Sequence, residues 1–185
     1  MAQIDAKLLK RCRNKDRRAQ NQLYELCFGM LMPVCMRYAS CEDDAMSYLN
    51  LGFYKILKNL KKYKTEIPFG AWSKRVLINT IIDELRSKKR YQNQIELREN
   101  LPAEERGFAQ YDPAISGEDV YRFIQNLPPV TGSVFNLYAL DGYKQVEIAD
   151  MMGISVGTVK WHYAEARKRL KQMVTTFSQQ QKLVS

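Results

Sequence analysis

The sequence predicts an all-α fold made of two small helical domains, and three observations carry that prediction. Apolar residues recur at spacings of three and four through long stretches rich in Leu, Met, Lys and Arg, and no alternating strand pattern persists. Charge falls in three blocks: residues 1–92 hold 19 basic and 9 acidic side chains, residues 93–119 hold 2 and 7, and residues 120–185 hold 8 and 4. The middle block, with Pro102, Gly107, Pro113 and Gly117 and no sustained apolar period, reads as a linker over 93–117. With 185 residues, 45% of them hydrophobic, each flank has enough apolar side chains for a modest core of its own. The expected boundaries are a first domain over 1–92, a second over 118–176 and a tail over 177–185.

In the first block the periodicity predicts a short helix from Asp5 to Asn14, a longer one from Asp16 to Tyr38, a third from Asp43 to Leu60 and a fourth from Phe69 to Tyr91. The third runs out into "KNLKKYKTEIPFG", where Pro68 and Gly70 mark a strongly basic loop that contains Tyr63 and Phe69. Wound at about 100° per residue, the fourth helix has an apolar stripe of Leu77, Ile78, Ile81 and Leu85 with Ile82 at its border. On another side Trp72, Val76, Asn79, Asp83, Arg86 and Arg90 line up. In the second block helices are expected over Glu118–Asn126, Pro129–Leu140, Lys144–Met152 and Ser155–Met173.

Lys and Arg number 29 against 20 Asp and Glu, a formal charge of +9 and a pI near 9.4, which favours a polyanionic partner. Nucleic acid leads, with an acidic membrane surface second. No apolar run is long enough to span a bilayer and "MAQIDAKLLKRCRNKDRR" lacks the apolar centre of a secretion signal, so the chain is expected in the cytoplasm, without membrane insertion. Cys12, Cys27, Cys35 and Cys41 have no C-x-x-C spacing and the lone His162 is far downstream, so neither a zinc site nor any cofactor is expected. Cys27 and Cys35, set among Leu, Phe and Met, read as small buried hydrophobes. One histidine, no catalytic serine setting and no glycine-rich phosphate loop leave no convergent active site.

The stretch "YKQVEIADMMGISVGTVKWHYAEARKRL" has the build of a helix-turn-helix. A short helix with Val146, Ala149 and Met152 inward meets a tight turn at Gly153, Ile154 plugs the angle and Ser155 caps the next helix. Val159, Tyr163, Ala166 and Leu170 then fall on one stripe and bury. Gly157, Trp161, Ala164 and Lys168 point outward, flanked by Lys160 and Arg167 on one edge and by Thr158 and Glu165 on the other. Small residues near the helix start, positive charge and an outward aromatic suit a DNA major groove. A plain helix pair with a solvated charged side is the competing reading, and an outward Trp161 argues against it. His162 lies beside the buried stripe, where packing and DNA contact are both open.

From Leu127 to Leu170 the chain resembles region 4 of bacterial sigma factors of the extracytoplasmic-function (ECF) group: an L-P pair, an apolar helix, Gly before an E-I-A box, and T-V-K opening the recognition helix are all present. Lys144 departs from the Ser or Thr cap usual in that family and predicts a weaker start to the first helix of the motif. "FGAWSKRVLINTIIDELRSKKR" resembles sigma regions 2.3 and 2.4 in the order Phe69, Trp72, Asn79, Asp83, Arg86, Lys88, Lys89 and Arg90. Asn can read a base edge, cations can hold phosphates and aromatics can stack on unpaired bases.

The resemblance implies a minimal sigma factor that binds core RNA polymerase and directs it to promoters, with no catalysis of its own. It implies a duplex −35 contact through Ser155, Gly157, Thr158, Lys160, Trp161, His162, Ala164, Arg167 and Lys168. It implies a single-stranded −10 contact through Lys62, Tyr63, Lys64, Phe69, Arg75, Asn79, Asp83, Arg86 and the Lys88–Arg90 cluster. Docking on the β′ clamp helices would use Asp44, Ala45, Asn50, Phe53, Tyr54 and Leu57, with a second contact at the β flap. That docking segment, "DDAMSYLNLGFYKIL", has Met46, Ser47 and Leu51 where the family carries acids and Asn50 in place of Gln, which trades polar contacts for apolar surface. An anti-sigma protein is the regulator the resemblance implies. The rival functions are a stand-alone helix-turn-helix regulator with an N-terminal dimerisation or effector module, and a polymerase-associated protein without promoter reading.

Overall fold

The computed structural model describes the backbone of residues 4–92 and 116–184, with side chains at 4–87, 116 and 119–180. Every element among the described residues is helical, and the chain separates into two compact units, 1–91 and 92–185. Most of the expected linker lies outside the described residues.

In the first unit the caps are local and set by sequence. Helix α1 (Ala6–Arg13) opens under Asp5, whose carboxylate accepts from the Leu8 N–H at 2.7 Å. Helix α2 (Arg17–Tyr38) opens under Asp16, which accepts from the Ala19 N–H at 3.1 Å. Pro33 stands inside α2 on its exposed side, where water can satisfy the carbonyl that loses its donor. Helix α3 (Glu42–Asn59) carries Glu42, Asp43 and Asp44 in its first turn, where the helix dipole favours negative charge, and ends in one 3-10 turn, Leu60–Lys62. Helix α4 runs from Phe69 to Gln92.

The core of this unit is Leu23 and Leu31 of α2, Leu49 and Ile56 of α3, Leu60, and Leu77, Ile78, Ile81 and Ile82 of α4, all less than 2% exposed. Full burial of each contributes about 1.5–3 kcal/mol relative to exposure. Ile82, expected at the border of the stripe, is central, and Leu85 is only half-buried. Helix α2 packs between α1 and α3. Gly52 lets α4 come close to α3, since a Cβ there would run into Leu77 Cδ1.

In the second unit α5 (Gly117–Gln125) begins with a reciprocal box: Ser116 Oγ accepts from the Asp119 N–H at 3.1 Å, and the Asp119 carboxylate accepts from the Ser116 N–H at 3.0 Å. Helix α6 (Pro129–Phe135) has Pro at its first position, where no N–H is needed. The sequence predicts one α-helix to Leu140. Instead Asn136–Leu140 form a π turn closed by the Asp141 N–H on the Asn136 carbonyl at 2.9 Å. Helix α7 (Gln145–Met152) and helix α8 (Val156–Val184) complete the unit.

Helix α8 packs on α5, α6 and α7, and the core is Val134, Leu137, Ile148, Val159 and Ala166, each 0% exposed. The expected helix end at Met173 is overturned, because α8 continues without a break to Val184. A tertiary contact accounts for the extension: Phe177 meets Phe123 of α5 edge-on at 5.6 Å.

Candidate nucleic-acid and polymerase interface

The helix-turn-helix forms as its local signals require. Gly153 ends α7 in the left-handed region at φ 66, ψ 39, where a Cβ would be strained. Ser155 Oγ accepts from the Thr158 N–H at 3.0 Å and caps α8. Lys144 does not leave α7 unprotected, because Glu147 reaches back to accept from the Lys144 N–H at 2.8 Å. Two phases differ from expectation. In α7 Ile148 and Ala149 face the core while Val146 is 61% exposed. In α8 the buried stripe is Val159, His162 and Ala166, so the helix is turned by about half a residue step from the predicted wheel.

That rotation reassigns the recognition residues. Gly157, Lys160 and Lys168 are exposed beside the cap Ser155, with Thr158 and Ala164 half-buried at the edges. Arg167 is half-buried and lies over the Tyr163 ring at 6.0 Å from its centre, while Tyr163 packs edge-on against Tyr138 at 4.7 Å. Trp161 is not a fully outward aromatic: it is half-buried, its indole Nε1 is buried without a partner, and its ring meets His162 edge-on at 4.8 Å. His162 is 5% exposed, and its Nδ1 shares a hydrogen bond with Thr131 Oγ1 of α6 at 3.0 Å. His162 is therefore a core residue, and the DNA role given to it from sequence is withdrawn. A buried imidazole hydrogen-bonded to Thr131 is a fastener between α6 and α8.

In the first unit the outer stripe of α4 is Ala71, Arg75, Asn79, Asp83 and Ser87, an i,i+4 row of exposed residues. Asn79 and Asp83 of the expected row stand on it, joined by Arg75, which the helical wheel did not place in that row. Trp72 and Val76 are drawn half inside, and Arg86 is half-buried. Asp83 pairs with Lys55 of α3 at 3.6 Å, an exposed bridge worth little by itself but one that ties α4 to α3. The side chains of Lys88, Lys89 and Arg90 lie outside the described residues.

The loop before α4 corrects another expectation. Tyr63 and Phe69, assigned to stacking on unpaired bases, are 9% and 8% exposed. Tyr63, Phe69 and Trp72 form a small aromatic core with ring centres 5.0 to 5.7 Å apart, and the Tyr63 hydroxyl donates to the Ile67 carbonyl at 2.8 Å. Burying these rings folds the loop and leaves Lys61, Lys62 and Lys64 on its outside. Trp72 is the member of the cluster that keeps an exposed edge.

Of the residues expected to dock on polymerase, Ala45 and Phe53 are core, at 0% and 8% exposed, and cannot be contact surface. Asp44 and Leu57 are half-buried, Asn50 is exposed and Tyr54 is 60% exposed. Sequence reasoning missed Tyr24 of α2, whose hydroxyl donates to Asn50 Oδ1 at 2.9 Å while its ring sits edge-on to Phe53 at 5.0 Å. Nothing in the spacing signals that pair, which spans two helices. Phe28, 38% exposed on α2 with its ring 6.3 Å from that of Tyr24, adds apolar surface to this side of the unit.

Cys12, Cys27 and Cys35 are buried and reduced. Burial pushes the Cys27 and Cys35 thiols up to about 12, and raises Cys12 with help from the nearby Asp16 charge. These thiols stay protonated and behave as hydrophobes. No group of His, Cys, Asp and Glu among the described residues could hold a metal ion, and no helix among them is long and apolar enough to cross a membrane.

A comparison with protein families matches residues 23–91 to Sigma-70 region 2 and residues 117–170 to Sigma-70, region 4, together about two thirds of the chain. The chain belongs to the sigma-70 family. The sigma factor is 26% identical over 170 residues to the ECF RNA polymerase sigma factor SigM of Mycobacterium tuberculosis, covering 92% of this chain and 84% of that one. It is 25% identical over 180 residues to the ECF RNA polymerase sigma-E factor of Haemophilus influenzae, covering 92% and 95%. Its fold is similar to that of the sigma factor RpoE of Bartonella quintana, solved with the anti-sigma factor NepR, at a TM-score of 0.52 and 19% identity over 84% of this chain and 96% of that one. As an ECF-type sigma factor it binds core RNA polymerase and promoter DNA and directs promoter-specific initiation. A match to region 2 does not favour a stand-alone helix-turn-helix regulator.

Proposed function

We propose a division of labour for this sigma factor in which each unit carries one DNA contact and the first also carries the main polymerase contact. The α2–α3 side seats on the β′ clamp helices through Asp44, Asn50, Tyr54 and Leu57, with Tyr24 orienting Asn50. Its apolar character offsets the acids missing from this segment. The unpaired −10 strand lies along Lys62 and Lys64 of the loop, the exposed edge of Trp72, and Arg75 and Asn79 of α4. The second unit contacts the β flap and reads the −35 duplex with Ser155, Gly157, Thr158, Lys160, Ala164 and Lys168. The acidic segment 93–119 runs through the polymerase interior, where its excess of carboxylates keeps it off DNA.

One observation carries this reading: a small, cationic outer face on α8 occurs in the same chain as an exposed lysine-rich loop, Lys61, Lys62 and Lys64, on a region 2 bundle. The chain acts as an initiation factor in the cytoplasm, where the polymerase works, and bond formation belongs to the core enzyme. An anti-sigma protein, the kind of partner bound by the Bartonella relative, is the regulator we assign to it. Reconstitution with core polymerase and mapping of transcript start sites tests the proposal. Specific starts that need both the −35 and −10 sequences are expected. A chain that binds duplex targets alone and does not associate with core enzyme overturns it.

A further inference from the structure

The corner between α1 and α2 lies ahead of the segment matched to region 2, which begins at residue 23, and the function proposed above gives it no task. Cations occupy its least favourable positions. Lys15 is the left-handed residue that closes α1, at φ 62, with its N–H donating to the Cys12 carbonyl at 3.0 Å and the Asp16 N–H donating to the Arg11 carbonyl at 3.2 Å. Glycine fills that place in a helix-ending motif without strain, and a side chain there costs stability. Arg17 and Arg18 open α2 at the positive end of its dipole, where acids are favoured, and no acid stands in that first turn. All three side chains are exposed, so packing does not account for them. Asp16 is already engaged by the Arg11 guanidinium at 2.8 Å. Unfavourable placements held at one spot point to a ligand that repays them.

The corner adjoins the basic loop. The Arg13 guanidinium donates to the Leu60 carbonyl at 3.1 Å and to the Tyr63 carbonyl at 3.4 Å, which fastens the end of α1 to the segment that exposes Lys61, Lys62 and Lys64. We propose that Lys15, Arg17 and Arg18 form a further phosphate-binding site that holds the backbone of promoter DNA alongside the strand captured by the loop. The site consists of three exposed cations, and the planar N–H forks of Arg17 and Arg18 match the bidentate geometry of phosphate oxygens. It rests on the sigma-factor reading above.

The test uses the full chain reconstituted with core polymerase and a labelled promoter fork, titrated over a salt series, with K15G, R17A/R18A and the triple variant. Lys15→Gly relieves backbone strain, and the arginine replacements remove charge from a dipole end that disfavours it. The thermal midpoint of the free chain is therefore expected to rise or hold while core affinity stays unchanged. Affinity for the fork should fall, and the slope of log K against log salt should become shallower by roughly 0.7–0.9 for each cation removed, about 2 to 3 for the triple variant. An unchanged slope overturns the proposal, as does a fall in the thermal midpoint, which would make the corner structural. Lost core affinity overturns it by assigning the corner to polymerase. Binding of the free chain to phosphatidylserine vesicles that the variants lose, with the DNA slope unchanged, overturns it in favour of a lipid surface. An unmodified chain that forms no holoenzyme overturns the sigma-factor reading itself, and is seen before any variant is compared.

Discussion

The fastener between α6 and α8 can be measured by a double-mutant cycle. Thr131 and His162 are 2% and 5% exposed with 3.0 Å between Oγ1 and Nδ1. Thr131→Val keeps the shape but leaves the imidazole nitrogen unpaired inside the unit, at about 1–3 kcal/mol. His162→Leu leaves the hydroxyl unpaired at a similar loss, and also removes the ring edge packed on Trp161, roughly 0.5–1.5 kcal/mol more. In the double variant neither polar group remains to be stranded, so its loss should be smaller than the sum of the singles by about 1–3 kcal/mol. The chain has two tryptophans, so urea unfolding in a Trp72→Phe background makes Trp161 the fluorescent reporter of the second unit. At temperatures below the unfolding transitions, −35 dependence of transcription should be retained in all three. Strict additivity of the two losses would falsify the coupled bond. Loss of −35 dependence at unchanged stability would return His162 to the DNA surface.

Gly52→Ala puts a methyl against Leu77 Cδ1 and forces that fully buried side chain to turn aside, so unfolding in urea should show a loss of about 1–3 kcal/mol; an unchanged midpoint would mean the helices do not meet there. Lys160→Ala should weaken −35 dependent transcription by about 1–3 kcal/mol while core binding is intact, and equal transcription from promoters with and without the preferred −35 sequence in the unmodified chain would remove the basis for it. Asp16 is held below its ordinary value of 3.8, first by the Ala19 N–H and then by Arg11. A depressed folded-state pKa gives stability that is full above 3.8 and lost as pH falls through the lower folded value. Asp16→Asn should therefore flatten the acid limb of the pH–stability curve below about pH 4, and an identical limb in both proteins would deny the cap its charge.

What the amino-acid string decided by itself is local. Apolar spacing, Asp at two helix starts, the Ser116 box, Gly153 at the turn and Ser155 at the next cap each act within one turn of backbone, so the helices and the helix-turn-helix form where those residues stand. Region order and the basic faces were legible for the same reason, since charge and motif spacing survive without knowledge of neighbours. Facing was not legible. A helix that packs on one partner buries one stripe, but α8 packs on α5, α6 and α7, and its buried sector turns to satisfy all three, which takes His162 in, half-buries Trp161 and leaves Lys160 out. Tyr63 and Phe69 read as exposed because nothing in a basic loop announces that Trp72, on the next helix, will complete an aromatic core around them. The length of α8 likewise depended on Phe123, 54 residues before the Phe177 it packs against. Contacts between residues distant in sequence carry the apolar and hydrogen-bonding energy that selects among the faces a local pattern allows, and only the assembled tertiary structure brings those residues together.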